Sequence, residues 1–151
     1  LAWSHDGGRL AIGRMDRTIE VWNLKEQTLV SRHTGHKREI SDLAFFMDDR
    51  RIASSSGLVH MQSPDAGDAH VWDAASGELL IDFPSERHEI YNSLAISKDG
   101  TQIYVSTNDP RVVTTDPLAM VNPHGHMLPP KMPPPPPAGR ILCWEAPVLK
   151  R

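Results

Sequence analysis

Apolar and polar residues alternate along three stretches of the chain, and each alternation is broken by a short polar turn. Leu1-Ala2-Trp3-Ser4 passes through His5-Asp6-Gly7-Gly8 into Arg9-Leu10-Ala11-Ile12. Leu43-Ala44-Phe45-Phe46 passes through Met47-Asp48-Asp49 into Arg50-Arg51-Ile52-Ala53-Ser54. Leu94-Ala95-Ile96-Ser97 passes through Lys98-Asp99-Gly100 into Thr101-Gln102-Ile103-Tyr104-Val105. A period of two marks strands with one buried face, and a tight polar turn joining two of them marks a hairpin. Downstream of each hairpin a third strand ends in tryptophan and a short polar or acidic residue, as Val21-Trp22-Asn23, Val71-Trp72-Asp73 and Cys143-Trp144-Glu145. A fourth strand follows the first two copies, as Gln27-Thr28-Leu29-Val30-Ser31 and Glu78-Leu79-Leu80-Ile81-Asp82-Phe83.

The unit recurs at Leu1, Leu43 and Leu94, offsets of 42 and 51 residues. Four strands repeated at such a spacing predict an all-β chain of stacked propeller blades, each a sheet of four antiparallel strands. The residues resemble the WD-repeat β-propeller family over nearly the whole chain apart from two inserts. The middle copy carries the resemblance most fully, with Gly35-His36 opening it, Ile40-Ser41-Asp42-Leu43-Ala44-Phe45 as its innermost strand and Trp72-Asp73 closing its third. The resemblance implies a buried hydrogen-bonded chain of histidine, strand hydroxyl, turn aspartate and tryptophan. A buried indole N–H or imidazole needs a partner, and a linked set satisfies every donor at once. His36, Ser54 or Ser56, and Trp72 match that pattern. In the first copy Asp16 stands six residues before Trp22, the family's turn position, while the matching positions before Trp72 and Trp144 are Ala66 and Ala138. Complete polar chains are therefore not expected in the later blades, with Asp65 or Asp68 as possible substitutes in the second. Arg87-His88 replaces Gly-His in the third copy.

The units divide the chain into a partial blade at 1–34, a blade at 35–86 with an enlarged loop at 56–67, and a blade at 87–151 with a long Pro-rich insert at 108–139. A propeller ring needs at least about four blades to close, so the expectation is an incomplete ring, a fragment whose remaining blades lie elsewhere in a longer parent chain. Both inserts fall between the second and third strands of neighbouring blades and should emerge side by side on one face. The longer one contains Met132-Pro133-Pro134-Pro135-Pro136-Pro137. Five successive prolines fix φ and remove backbone donors, so this stretch is read as a polyproline II rod outside any sheet. It serves either as a ligand for an aromatic groove or as a stiff spacer.

Composition narrows the chemistry. A formal net charge of −3 with 39% hydrophobic residues fits a β-rich domain and argues against nucleic acid, since phosphate recognition needs a concentrated positive face. No apolar run is long enough for a membrane helix, so no membrane partner is expected. The single cysteine, Cys143, falls in a strand read as buried, which leaves neither a disulfide framework nor a zinc site. His124 and His126 share one side of an extended segment but lack further ligands. The remaining histidines are spread over different turns and strands, and no nucleophile is paired with a general base. No metal, cofactor or catalytic residue is expected. The compartment stays open, with a lean to the cytoplasm.

Together with the resemblance, these readings imply a non-enzymatic scaffold that presents blade edges and loops, including Met132 to Pro137, to a protein partner. The alternative is a sensor or regulatory propeller fused to a catalytic domain outside this stretch.

Overall fold

The computed structural model describes residues 1–57, 67–84, 90–108 and 141–145. The strands are β1 (Ala2–Trp3), β2 (Arg9–Gly13), β3 (Ile19–Asn23), β4 (Thr28–His33), β5 (Ile40–Phe45), β6 (Arg51–Ser56), β7 (Asp68–Asp73), β8 (Leu79–Pro84), β9 (Ile90–Ile96), β10 (Gln102–Asn108) and β11 (Ile141–Glu145). They form three antiparallel sheets in the orders β1-β2-β3-β4, β5-β6-β7-β8 and β9-β10-β11, so that every hydrogen-bonded pair of described strands is consecutive in strand order, β10 and β11 across the long insert. The described sheets do not close a ring. The enlarged loop at 56–67 and the Pro-rich insert at 108–139 fall mostly outside the described residues, as does Met132 to Pro137.

The three hairpin turns share one design. Asp6, Asp48 and Asp99 each accept, through Oδ1, the backbone N–H two residues on, from Gly8, Arg50 and Thr101 at 2.8, 2.9 and 3.1 Å. The residue that follows lies in the left-handed region, as Gly7 (φ 71°), Asp49 (φ 53°) and Gly100 (φ 70°). Glycine adopts that conformation without steric cost, whereas aspartate tolerates it through local hydrogen bonding. Asp49 uses its carboxylate on the neighbouring blade, accepting from the His5 N–H at 2.7 Å, the Asp6 N–H at 2.9 Å and the His5 ring at 2.9 Å. Arg9 donates to the Asp49 carbonyl at 2.5 Å. The departure from glycine in this one turn therefore fastens the first sheet to the second.

A second recurring turn explains the short polar residue after tryptophan. Asn23 accepts from the N–H groups of Lys25 and Glu26, and Asp73 accepts from those of Ala75 and Ser76, all at 2.9–3.0 Å. In both sheets the third and fourth strands shift register just before the tryptophan, between Val21 and Trp22 and between Val71 and Trp72.

The middle sheet is covered on both faces. Leu43, Phe45, Ile52, Trp72 and Ala74 pack with Ala11, Ile19 and Val21 of the first sheet. Phe46, Ala53, Ala69 and Val71 pack with Tyr91, Ile103 and Val105 of the third. Alternating residues of β6 and β7 thus enter different cores, and all of β6, from Arg51 to Ser56, is buried. Inner strands are also tied across the sheets: Asp42 accepts from the Ser93 hydroxyl at 2.8 Å and the Leu94 N–H at 2.9 Å, and the Ser41 hydroxyl donates to the Tyr91 carbonyl. Cys143, expected to be buried, is exposed. Alternation on β11 explains the difference, because Leu142 and Trp144 turn toward the core and Cys143 between them turns away.

Asp49→Ala removes the carboxylate clamp and leaves an alanine at positive φ, so it should cost about 2 kcal/mol. Asp49→Asn keeps an acceptor and tolerates the conformation, and should cost less than half as much. Urea unfolding midpoints of the two variants check this ordering.

Candidate functional site

The densest polar chemistry in the described structure lies inside the middle sheet, where its first face meets β4. His36 enters from the turn before β5, Ser54 and Ser56 sit on β6, and Asp68 and Trp72 on β7. The Trp72 indole donates to the Ser54 hydroxyl at 3.3 Å. Ser54 in turn lies 2.6 Å from His36 Nε2, and His36 Nδ1 lies 2.5 Å from Asp68 Oδ1. A carboxylate only accepts, so His36 carries its hydrogen on Nδ1, and Ser54, already accepting from tryptophan, donates to Nε2. The hydrogens run one way, from Trp72 to Ser54 to His36 to Asp68.

Asp68 is nearly completely buried and is held by more than His36. The Ser56 hydroxyl donates to Oδ1 at 2.5 Å, and the Lys37 N–H donates to Oδ2 at 3.1 Å. Burial works against its charge, yet the hydrogen bonds from His36 and Ser56 outweigh it and hold the carboxyl down at about 2.

Two further histidines close around this chain. His33, at the end of β4, lies flat against Trp72 with ring centroids 5.1 Å apart and planes 10° apart. Its Nδ1 sits 3.2 Å from the Gly77 carbonyl and its Nε2 3.0 Å from His70 Nδ1. His70, on β7, stacks on His36 at 4.0 Å. Burial pushes the His70 ring down to about 3, and burial lowers His33 as well. Burial thus favours the uncharged form of both rings. One nitrogen from each of His33, His36 and His70 lies within 4.8 Å of the others, which makes them the group among the described residues able to hold a metal ion.

His36, Ser54 and Trp72, singled out in the sequence, are brought together here, and Asp68 rather than Asp65 is the acid placed against His36. Asp65 lies outside the described residues. Asp16 is elsewhere: it stays in its own turn, accepting from the Thr18 N–H at 3.1 Å and hydroxyl at 2.6 Å. Trp22 donates not to that turn but to Glu20 at 3.2 Å, and Glu20 also accepts from Arg14 at 2.8 Å and Arg32 at 2.5 Å. Trp144 stacks on Phe83 at 4.6 Å. The histidines do not all stay apart as their sequence positions suggested, because His33 and His70, separated by 37 residues, meet across the first and second sheets. The available signal was positional: His70 and Glu20 both stand two residues before the tryptophan of their strand.

A hydrogen-bonded chain of this kind, beside repeated four-stranded sheets ending their third strand in tryptophan, agrees with the family comparison. The model of the WD domain, G-beta repeat, matches residues 1–23 and 27–73. The chain carries WD repeats. It is 23% identical over 114 residues to the WD repeat domain-containing protein 83 homolog of Dictyostelium discoideum, covering 76% of this chain and 32% of that protein. It is 30% identical over 111 residues to pre-mRNA-splicing factor cwf17 of Schizosaccharomyces pombe, covering 68% of the chain and 28% of that protein. A 55-residue stretch is 34% identical to the human U5 small nuclear ribonucleoprotein 40 kDa protein, covering 36% of the chain and 15% of that protein. The chain therefore spans a third or less of the length of these WD-repeat and splicing relatives.

Trp72 is fully buried and Trp3 is 62% exposed. Trp72→Ala should cost about 3–5 kcal/mol through lost area, a cavity and the lost bond to Ser54, and Trp3→Ala about 0.5 kcal/mol; chemical denaturation of both variants measures the difference. Burial opposes ionisation of Glu20, but its bonds from Trp22, Arg32 and Arg14 hold its carboxyl below the usual 4.5. A depressed folded pKa contributes stability that is present above the ordinary carboxylate range and lost as pH falls through the folded value. Glu20→Gln should thus destabilise at pH near 7 and converge on the wild type at strongly acid pH, which urea melts at both ends of the range will show.

Proposed function

We propose that the chain is a non-enzymatic scaffold that recognises a protein partner on the face where its two inserts emerge. The observation that carries this reading is the arrangement of the insert roots. Gly57, which opens the shorter insert after β6, packs so closely on β9 that a Cβ there would lie 2.7 Å from both Ile90 Cγ2 and the Tyr91 nitrogen. Ile90 is paired in register with Asn108, the last residue of β10 before the longer insert. The roots of the two inserts are therefore neighbours, which supports a shared face, and the longer insert carries five successive prolines, whose fixed φ lowers the entropy lost on docking.

The rigid part of the site supports recognition rather than catalysis. Its buried groups are committed to one another in hydrogen bonds, and Asp68, the acid at its centre, is spent on His36, Ser56 and Lys37. Relatives named as splicing components point the same way, toward a place in a multi-protein assembly, and the acidic balance of the chain favours a protein surface over direct phosphate contact. As elsewhere, a repeat sheet supplies the platform and the loops supply specificity.

Deletion of residues 120–138 should leave blade stability nearly unchanged, because loop length enters closure entropy only logarithmically. Partner recovery by the immobilised chain, with cross-links mapped by mass spectrometry, should fall about tenfold. Unchanged recovery, or cross-links confined to the opposite face, would show that the partner binds elsewhere.

A further inference from the structure

Three buried imidazoles meet beside the middle sheet, with one ring nitrogen from each of His33, His36 and His70 within 4.8 Å of the others. His33 Nδ1 faces the Gly77 carbonyl at 3.2 Å, which can only accept, so the hydrogen of His33 is there and its Nε2 is bare. His36 Nδ1 faces the Asp68 carboxylate at 2.5 Å. His33 Nε2 and His70 Nδ1 lie 3.0 Å apart, joined by one hydrogen bond that His70 donates. His70 Nε2 lies 3.4 Å from Asp82 Oδ1 and 3.7 Å from Asp68 Oδ2, beyond hydrogen-bond length but on their side of the ring. With the His70 hydrogen on Nε2 instead, toward those carboxylates, His33 Nε2 and His70 Nδ1 present two bare nitrogens to one point, the arrangement a metal ion takes.

We propose that His33 Nε2 and His70 Nδ1 bind a divalent transition metal of the imidazole-seeking class, such as Zn²⁺, Co²⁺ or Ni²⁺, with His36 Nε2 as a third ligand. Metal–nitrogen bonds of about 2.0–2.1 Å in tetrahedral geometry place two ligand nitrogens about 3.3 Å apart, so the observed 3.0 Å needs to widen only slightly. The outer nitrogens already have the partners that ligating histidines commonly use, a backbone carbonyl for His33 and carboxylates for His36 and His70. Trp72, stacked on His33, fixes the orientation of that ring. His36 is the ligand that must move: its ring lies only 13° from parallel to His70, and Ser54 holds Nε2 at 2.6 Å. Reaching the ion requires His36 to turn out of the stack and release Ser54, so metal uptake draws on the same chain that anchors Trp72. Asp82 is half exposed at its side chain and gives the site an approach from solvent.

Titration of the chelator-stripped chain with Co²⁺ tests this directly. The expected result is one bound equivalent with visible ligand-field absorption, displaced by Zn²⁺. His33→Gln and His70→Gln should abolish the band, with circular dichroism verifying the fold of each. Asp82→Ala, at a partly exposed position, should fold and weaken binding about tenfold through loss of the carboxylate behind His70. A variant with His124→Ala and His126→Ala should keep the band in full. Absence of the band at excess Co²⁺, a band untouched by His70→Gln or Asp82→Ala, or a band lost with His124 and His126 would overturn the assignment. So would a neutral-pH NMR titration in which Co²⁺ leaves the His33 and His70 resonances unmoved.

Discussion

A sheet with neighbours on both faces has no solvent side to which a polar group can be sent, and that constraint governs the middle blade. β6 and β7 each pass residues alternately into two cores, so Ser54, Ser56 and Asp68 are as deeply buried as Ile52 and Val71. An unpaired buried hydroxyl or carboxylate costs more than a hydrogen bond returns. The chain from Trp72 through Ser54 and His36 to Asp68 is the solution: each donor ends on an acceptor, and the acceptor at the end is a carboxylate with three donors. Because its members come from the turn before β5 and from β6 and β7, their bonding also fixes how those segments lie on one another.

The first blade meets the same requirement with different residues. Its Trp22 hydrogen-bonds Glu20, and two arginines from β4 and the β2–β3 turn neutralise that acid. Here the fourth strand contributes a charge, whereas in the middle blade the strand before it contributes His33, which stacks on Trp72 and reaches Gly77 across the interface. The close approach of Gly77 to the Arg32 carbonyl, 2.4 Å from where a Cβ would stand, shows how tightly β4 is set against the turn after β7. Blade-to-blade contact is thus polar through Asp49 at its turn, Asp42 on β5 and Ser31 on β4, and apolar in the core they surround.

The hairpins and the tryptophan-ended strands could be read from the chain because period-two alternation and Asp-Gly turns are local signals. The run Ser54-Ser55-Ser56 could be placed on a strand but not assigned its depth, since polarity alone does not reveal a strand covered on both faces. The acid of the hydrogen-bonded chain was harder to choose. Asp68 stands four residues before Trp72 rather than six, and only the path of β7 brings it against His36. Asp16 holds the expected spacing from Trp22, yet among the described residues no histidine is bonded to it, and it closes its own turn on Thr18 instead. The meeting of His33 with His70 depends on how the first sheet lies against the second, which no spacing records.

The account rests on Trp72 being locked into the middle blade by its bond to Ser54, and exchange of its indole hydrogen reads that bond alone. Hydrogen exchange at Trp72 Nε1 in increasing sub-denaturing urea should be as slow as that of the β6 and β7 amides and should accelerate with the slope of global unfolding. The half-buried Trp22 indole should exchange faster, through smaller openings. Exchange at Trp72 as fast as at Trp22, or independent of urea, would contradict the claim that this hydrogen-bonded chain is the anchor of the fold.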